Sequence, residues 1–223
     1  MAKLGSNRTR PPRNSSRSKR DAIIYGAIEI FGGQGYENSK WADVAESVGI
    51  GSTALYHYFE SKLHCLYVIM AEAVKENQDT FLELTRNRPD FLAALTDALR
   101  AGFELDEHEV FRMRALVAEQ GLVGVRRSSE REESARLIAR ERMRELEFAW
   151  STFLVRGMEQ GVIPEADPAM LAKAVLGLNT SVFHWYRPGG TIALQDVADF
   201  FVTRQLAVIN TGAPSAALAA NAQ

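Results

Sequence analysis

The chain has 223 residues, of which 46% are apolar and 24% charged, and its formal net charge at neutral pH is −2. This composition is ordinary for a globular protein with one or two domains, and it excludes collagen-like and low-complexity chains. The single cysteine, Cys65, excludes an intrachain disulfide and a cysteine-cluster metal site, and we expect it to be a small buried hydrophobe. No apolar run reaches the roughly 18 residues of a membrane span, and no hydrophobic signal region begins the sequence. We therefore expect a cytoplasmic protein.

The charges are unevenly distributed along the chain. The first 20 residues contain seven basic side chains and no acidic one. Residues 1–62 sum to +3 and the rest of the chain to −5. We predict a disordered basic arm over residues 1–17, in which Pro11 and Pro12 oppose helix formation. This end of the chain is predicted to meet nucleic acid, through Arg13, Arg17, Lys19 and Arg20. The alternative for the arm is a tail without specific contacts.

Apolar residues spaced three and four apart, with few alternating β-branched runs, predict helix along most of the chain. Pro and Gly residues punctuate the pattern where helices begin and end. The sequence therefore predicts an all-α fold with nine helices, over residues 18–33, 39–47, 52–58, 62–86, 89–105, 108–123, 128–160, 168–186 and 193–210. A flexible tail is expected over residues 211–223.

The most informative segment is SKWADVAESVGIGSTALYHYFESKLHC, residues 39–65. Two short helical patterns flank Gly49, which can take the positive φ of a tight turn between helices. This pattern is typical of a helix-turn-helix, in which the second helix lies in the major groove of DNA. Ser39 is placed to cap the first helix, and Ser52 or Thr53 to begin the second.

The second helix is predicted to turn Leu55 and Phe59 inward and its polar face outward. Hydroxyl and imidazole groups on that face suit phosphate oxygens and base edges. Ser61 is placed to cap the following helix, whose first turn would bring a lysine to a phosphate. The predicted DNA contacts of this region are Ser39, Lys40, Ser52, Thr53, Tyr56, His57, Tyr58 and Lys62. For the two tyrosines, the alternative is packing against the core.

The segment GIGSTALYHYFESKLHCL resembles the recognition region of the tetracycline-repressor (TetR) family of bacterial transcription regulators. The residues that carry the resemblance are Gly49, Ile50, Leu55, Tyr56, Phe59, Ser61, Lys62 and Leu66. Upstream, AIEIFGGQGYENSKWADVAESVG is similar to the family pattern through Ala27, Phe31, Gly35, Tyr36, Ser39, Asp43, Val44, Ala45 and Gly49. Three departures concern the base contacts rather than the fold: Tyr58 replaces a common His, Ala42 replaces a frequent Arg, and the Gly before Leu55-Tyr56 is displaced.

The resemblance implies a three-helix DNA-binding domain over residues 18–62 and a six-helix effector-binding and dimerisation domain over residues 63–210. It also implies a homodimer on a palindromic, double-stranded DNA operator, a small apolar effector, and no cofactor or metal. In the family, the last two helices pair with their copies, which predicts dimer contacts at Leu171, Val175, Leu178, Val182, Val197 and Phe201.

Bulky side chains on the central helices of the second domain have two interpretations, core packing and an apolar effector cavity. The resemblance favours a cavity, with effector contacts at Phe103, Phe111, Trp150, Phe153, Asn179 and His184. The segment HWYRPGG, residues 184–190, is similar to the end of the penultimate helix in an actinobacterial TetR subgroup. That subgroup includes repressors of sterol and fatty-acid catabolism that sense acyl-CoA thioesters. A plain helix terminator is the alternative for this segment.

The sequence as a whole thus predicts a ligand-responsive DNA-binding repressor, released from its operator by an apolar effector such as an acyl-CoA. One alternative is a regulator of drug efflux that responds to drugs or aromatic compounds, and another is an architectural DNA-binding protein without an effector. A helical-bundle enzyme is the alternative of another class. It has little support, because the sequence shows no Walker loop, H-E-x-x-H, G-x-S-x-G or paired-carboxylate motif.

Overall fold

The computed structural model describes residues 16–211, and the side chains from residue 19 onward. Within this range the chain is helical and has no β-strand. The nine α-helices are α1 (Ser16–Gln34), α2 (Trp41–Ser47), α3 (Ser52–Tyr58), α4 (Lys62–Thr85), α5 (Phe91–Ala101), α6 (Glu107–Glu119), α7 (Glu130–Glu159), α8 (Pro168–Ser181) and α9 (Leu194–Asn210). Short 3₁₀ turns follow α6 (Gln120–Gly124) and α8 (Val182–His184). None of these helices combines the length and apolar content needed to cross a bilayer.

The predicted fold class and order of helices are confirmed. The largest errors lie at the C-terminal ends of α5, α6 and α8, which all stop short of the predicted residue. For α6 and α8 the chain tightens into a 3₁₀ turn there, a common ending that hydrophobic periodicity does not reveal. N-terminal ends are better defined, since α4, α5, α6, α7 and α8 each begin after a side chain that accepts a backbone N–H: Ser61, Asp90, Asp106, Ser129 and Asp167.

The prediction that Ser39 caps α2 is wrong. Its hydroxyl donates instead to the carbonyl of Tyr36 at 2.7 Å, inside the turn that follows α1, and the residue is buried. The N-cap position of α2 is Lys40, whose backbone N–H donates to the Asp43 carboxylate at 3.1 Å. The buried hydroxyl is therefore used to close the α1–α2 turn, and α2 begins two residues later than predicted.

The apolar residues form two cores. The first core joins α1, α2 and α3 to the first half of α4 and to parts of α6 and α7; its largest members include Ile23, Phe31, Leu55, Phe59, Leu66, Tyr67 and Met70. The second core joins the end of α4 to α5 and to the later helices; it includes Phe81, Phe91, Leu95, Leu99, Phe103, Trp150, Phe153, Leu154 and Phe183. Helix α4, which begins at the domain boundary predicted at residue 62, therefore belongs to both cores.

Helices α4 and α7 run side by side in the same direction. At their beginnings, Ser61 is hydrogen-bonded to Glu132, and twenty residues along α4 the Phe81 ring lies 4.4 Å from the Trp150 ring, centroid to centroid. The pair thus connects the first core to the second. Cys65 of α4 is fully buried in the first core, as predicted; burial raises the pKa of its thiol.

Candidate nucleic-acid interface and effector region

Helices α2 and α3 form a helix-turn-helix around Gly49. Its φ is +66°, in the left-handed region that glycine adopts without steric cost. The backbone N–H groups of Gly49 and Ile50 donate to carbonyls of α2, which ends that helix before α3 begins at Ser52. Leu55 and Phe59 are buried in the first core and fix the rotation of α3 about its axis. This orientation leaves the opposite face of α3 to the solvent.

The exposed face of α3 carries most of the predicted DNA contacts. Ser52, Thr53 and His57 are exposed, and the Tyr56 side chain is 54% exposed. Tyr58 differs, because it is half-buried and packs against the first core, as in the alternative interpretation of this residue. The structure therefore brings together four hydrogen-bonding side chains on one free helical face, which suits a groove lined with base edges and phosphates.

The other basic residues predicted to contact DNA lie near the start of α1 and just before α2. Lys40 and Lys19 are exposed, whereas Arg20 is half-buried, pairs with Glu72 at 3.0 Å and lies over the Phe59 ring. Arg13 lies outside the described residues, as does the side chain of Arg17. The proposed phosphate contacts of the arm thus stay predictions.

Lys62 has partners within the protein. Its ammonium donates to the carbonyls of Tyr36 and Ser39, the latter at 2.8 Å, and lies 4.0 Å from the centre of the Tyr36 ring. Burial lowers the pKa of the ammonium, while Glu37 and Glu119 act in the opposite direction. Lys62 therefore ties the start of α4 to the α1–α2 turn, a role that its sequence position does not reveal. Its contact to DNA phosphate stays a prediction.

Two serine–glutamate pairs join the starts of α4 and α7, and we call them the clasp. Ser61 caps α4 and donates to Glu132 of α7, and Ser129 caps α7 and donates to Glu60 at 2.6 Å. The backbone N–H of Glu60 also donates to His64 Nδ1 at 3.1 Å. Sequence reasoning missed the clasp: the Ser-x-x-Glu spacing in α7 signals a cap within one helix, and nothing in it signals a partner 69 or 71 residues away.

Three predicted effector residues, Phe103, Trp150 and Phe153, lie together in the second core. They are buried among other aromatic rings: the Phe81 ring is tilted against Trp150, and the Phe91 ring stacks on Phe153 at 4.7 Å, centroid to centroid. In this conformation they are part of the packed second core, and their contact with an effector stays a prediction.

Polar atoms without partners lie in the same region. Trp150 Nε1 and Asn179 Oδ1 are buried and have no hydrogen bond. Gln205 of α9 is fully buried; its Nε2 donates to the Val175 carbonyl at 3.0 Å, while its Oε1 has no partner. Sequence reasoning missed Gln205, although an amide inside the apolar stripe of α9 was the available signal. Gly102 makes room for Asn179, because a Cβ at residue 102 would lie 2.0 Å from Asn179 Nδ2.

Phe111 and His184 do not join this group. Phe111 packs against the first core, where α6 crosses α1 at Gly32. His184 is exposed at the end of the 3₁₀ turn after α8, since that turn rotates its side chain away from the core. Neither side chain therefore joins Trp150 and Phe153 of α7 in this conformation, and their contact with an effector stays a prediction without support from this arrangement.

The predicted dimer residues mostly face inward. Val175, Val182 and Val197 are buried in the second core of their own protomer, and Leu171 and Phe201 pack against it. Leu178 is half-buried. Periodicity shows that a helix has an apolar face but not what covers it, and here much of that face is covered by the protomer itself. The assignment of these residues to a dimer interface stays a prediction. The apolar side chains that α7, α8 and α9 expose are Leu137, Ile138, Phe148, Met170, Phe200 and Val208.

Comparisons with known proteins agree with this geometry. A family model described as "Bacterial regulatory proteins, tetR family" matches residues 23–66, and one described as "Tetracyclin repressor-like, C-terminal domain" matches residues 108–209. The HTH-type transcriptional repressor KstR2 of Mycolicibacterium smegmatis is 24% identical over 193 residues, covering 83% of this chain and 87% of the relative.

Solved structures share the fold. The ketosteroid transcriptional regulator KstR2 of Mycobacterium tuberculosis superposes with a TM-score of 0.70 at 22% identity, covering 89% of this chain and 98% of that one. AibR, in complex with isovaleryl coenzyme A and operator DNA, gives a TM-score of 0.69 at 19% identity, covering 83% and 97%. Together the two family models cover well over half of the chain, from the helix-turn-helix to α9. The chain therefore belongs to the TetR family of bacterial transcriptional regulators.

Proposed function

We propose that this regulator is a homodimeric repressor that works in the cytoplasm and places α3 of each protomer in a major groove of a palindromic operator. The observation that carries the proposal is the free face of α3, where Ser52, Thr53, Tyr56 and His57 project from a helix anchored by buried residues. A two-fold dimer presents two such faces, and palindromic half-sites one helical turn apart match them. The relatives named as KstR2 repressors support repression as the sign of regulation.

The test starts with a duplex selected from a random-sequence library by the full-length protein. Tyr56→Ala is expected to weaken binding to this duplex roughly tenfold or more, because a base or phosphate contact contributes about 1–3 kcal/mol. Its melting temperature should stay unchanged, since the side chain is more than half exposed. Tyr25→Ala is the matched control, because Tyr25 of α1 is equally exposed (57%) but stacks on His108 of α6. Equal affinity of the wild type and the Tyr56 variant would contradict the proposal.

We further propose an acyl-CoA thioester as the effector, bound where Trp150, Asn179 and Gln205 keep polar atoms without partners. Each such atom costs about 1–3 kcal/mol when buried. A ligand with an apolar body and one polar group would separate the packed aromatics and give these atoms partners. The acyl chain would contribute about 25 cal/mol per Å² of apolar surface removed from water. The isovaleryl coenzyme A of the AibR complex and the resemblance of residues 184–190 support this ligand class.

The effector proposal is tested by thermal shift and by release from the selected duplex. The panel contains short and long acyl-CoAs, free fatty acids, steroids and planar aromatic cations. An acyl-CoA at about one hundred times its Kd should stabilise the fold by about 2.7 kcal/mol and release DNA. Gln205→Met should keep the fold and weaken this response.

The other outcomes are equally informative. Stabilisation and release by the aromatic cations alone would replace the acyl-CoA with a drug-type effector. A panel without any response would remove the effector proposal and leave DNA binding in place.

A further inference from the structure

The clasp brings the beginning of α7 to the helix-turn-helix formed by α2 and α3, which we call the reading head. Ser129 and Glu132 are hydrogen-bonded to Glu60 and Ser61, two of the three residues that link α3 to α4. A segment of the second family domain, residues 125–133, therefore lies beside the helix-turn-helix, although more than sixty residues separate the two in sequence.

The charges of this segment are divided between inner and outer side chains. The Glu133 carboxylate accepts from Arg136 and from the backbone N–H of Arg127, and Glu132 accepts from Ser61. Arg127 Nε donates to the Tyr67 hydroxyl at 2.8 Å. The remaining two guanidinium groups, those of Arg126 and Arg131, belong to exposed residues, with Glu130 as the exposed acid between them. The exposed side chains of the segment thus carry two positive charges and one negative charge, a net charge of +1.

This surface continues toward the basic end of α1. A groove of about 590 Å³ lies between α1, α4 and α7. Arg20 and Arg131 line it together with two acids, Glu72, which pairs with Arg20, and Glu130. Lys19, exposed, precedes Arg20 in the first turns of α1. The two helices therefore present cationic side chains on both sides of the junction between α3 and α4.

We propose that Arg126 and Arg131 contact backbone phosphates of the bound DNA, so that the second domain contributes directly to the DNA interface. The proposal rests on the proposed DNA binding through α3. Guanidinium groups suit phosphate oxygens and give affinity without sequence preference. Helix α7 then carries both a DNA contact at its start and Trp150 of the second core, so a movement of α7 would alter both sites.

The experiment measures affinity for the selected duplex and for a scrambled duplex of equal length at several salt concentrations. The test variant is Arg126→Gln/Arg131→Gln. Each lost phosphate contact lowers the slope of log affinity against log salt by about 0.9, so a dimer with two contacts per protomer loses up to about 3.6. Both duplexes should be affected by the same factor, because phosphate contacts carry no sequence information.

The matched control is Arg86→Gln/Arg140→Gln, which removes the same charge from exposed positions farther along α4 and α7. It should leave the slope within about 0.5 of the wild-type value. An unchanged slope in the test variant overturns the proposal, and so does an equal change in both variants, which would indicate the general field of the protein rather than contacts. If the wild type does not distinguish the selected from the scrambled duplex, the proposed function fails. A changed slope in the test variant alone still supports the arginine contacts.

Discussion

The two cores differ in whether their fully buried polar side chains have hydrogen-bond partners. Around the first core, Ser39 donates to a backbone carbonyl, and Arg136, 4% exposed, pairs with Glu133 and donates to the Val123 carbonyl. In the second core, the buried residues Trp150 and Gln205 each keep an atom without a partner. The fully buried polar side chains of the first core are thus paired within the chain, although the half-buried Trp41 and Glu60 each keep one atom without a partner. In the second core, by contrast, it is fully buried residues that keep polar atoms a ligand could pair.

This difference suits the two tasks that the family combines. A reading head binds DNA best when its side chains are already held in place, because ordering them on binding would reduce the affinity. An effector can shift a conformational equilibrium only by the difference in its affinity for the two states. Buried atoms that gain partners only in the ligand-bound state provide such a difference. Substitutions in the two cores test how the cores are joined and whether DNA binding and effector binding are divided between them.

The largest effect is expected from a charge in the second core. Val182 is completely buried, so Val182→Glu would bury an unpaired carboxylate and should prevent folding. Phe200 of α9 is 56% exposed, so Phe200→Glu should keep the fold. If the exposed apolar side chains of α8 and α9 form the dimer interface, this variant should convert the dimer to monomers. Sedimentation and circular dichroism distinguish the two results. A folded dimer with glutamate at residue 200 would place the interface elsewhere.

The contact between α1 and α6 tests how the two regions are joined. A Cβ on Gly32 would lie 2.4 Å from the Phe111 carbonyl oxygen, a backbone atom that cannot move aside without shifting α6. Gly32→Ala is therefore expected to destabilise the protein by about 1–3 kcal/mol, as overpacked sites do. Its neighbour is the control: a Cβ on Gly33 meets nothing within 4 Å, so Gly33→Ala should stabilise α1 by about 0.5–1 kcal/mol. Equal thermal shifts of the two variants would show that the helices separate easily here.

The fold was predictable because its signals are local. Apolar spacing, caps and Gly49 act within a few residues of each other, and they gave the nine helices in order and the outward face of α3. The prediction of Tyr56 as an exposed residue followed from the positions of Leu55 and Phe59 in the same turn of helix.

The contacts between distant helices were not predictable in the same way. Periodicity could not tell that Val175 and Val182 face their own protomer's core, because both sides of α8 carry apolar residues. It also could not show that Lys62 reaches the carbonyl of Ser39, or that Ser129 reaches Glu60, since both contacts depend on how helices cross. The sequence was therefore sufficient to predict the exposed face of α3. It was not sufficient to predict the contacts between helices that hold this face in place.

A pH titration tests the internal pairing beside the clasp. The hydrogen bond from Arg136, with the backbone N–H of Arg127, lowers the pKa of Glu133 to about 2 from its ordinary value of 4.5. A carboxyl with a depressed pKa stabilises the folded state above pH 4.5, and this contribution is lost as the pH falls toward 2. Glu133→Gln should therefore melt below the wild type at pH 7, and the gap should narrow between pH 4.5 and pH 3.

The control for this titration is Glu145→Gln. Glu145 pairs with Arg142, three residues earlier on α7, and its side chain is more exposed than that of Glu133. Its melting temperature should stay close to the wild-type value at every pH, because exposed ion pairs contribute little. A gap for Glu133→Gln that stays constant from pH 7 to pH 3 would show that the carboxylate is not held by Arg136 in solution.

The smallest expected effect concerns Lys62. This residue tests whether one side chain can both stabilise the first core and bind DNA. Its ammonium is already bound to two carbonyls of the α1–α2 turn, so the same group is expected to serve the first core and a DNA phosphate. Lys62→Met keeps the aliphatic stem and removes the donors, and it should destabilise the fold by about 1 kcal/mol. Lys40→Met, at an exposed position beside the turn, should leave stability unchanged. If Lys62→Met lowers the salt slope of DNA binding as well as the melting temperature, the lysine has both roles. A loss of stability alone would make it a support of the reading head, with its phosphate contact removed from the interface.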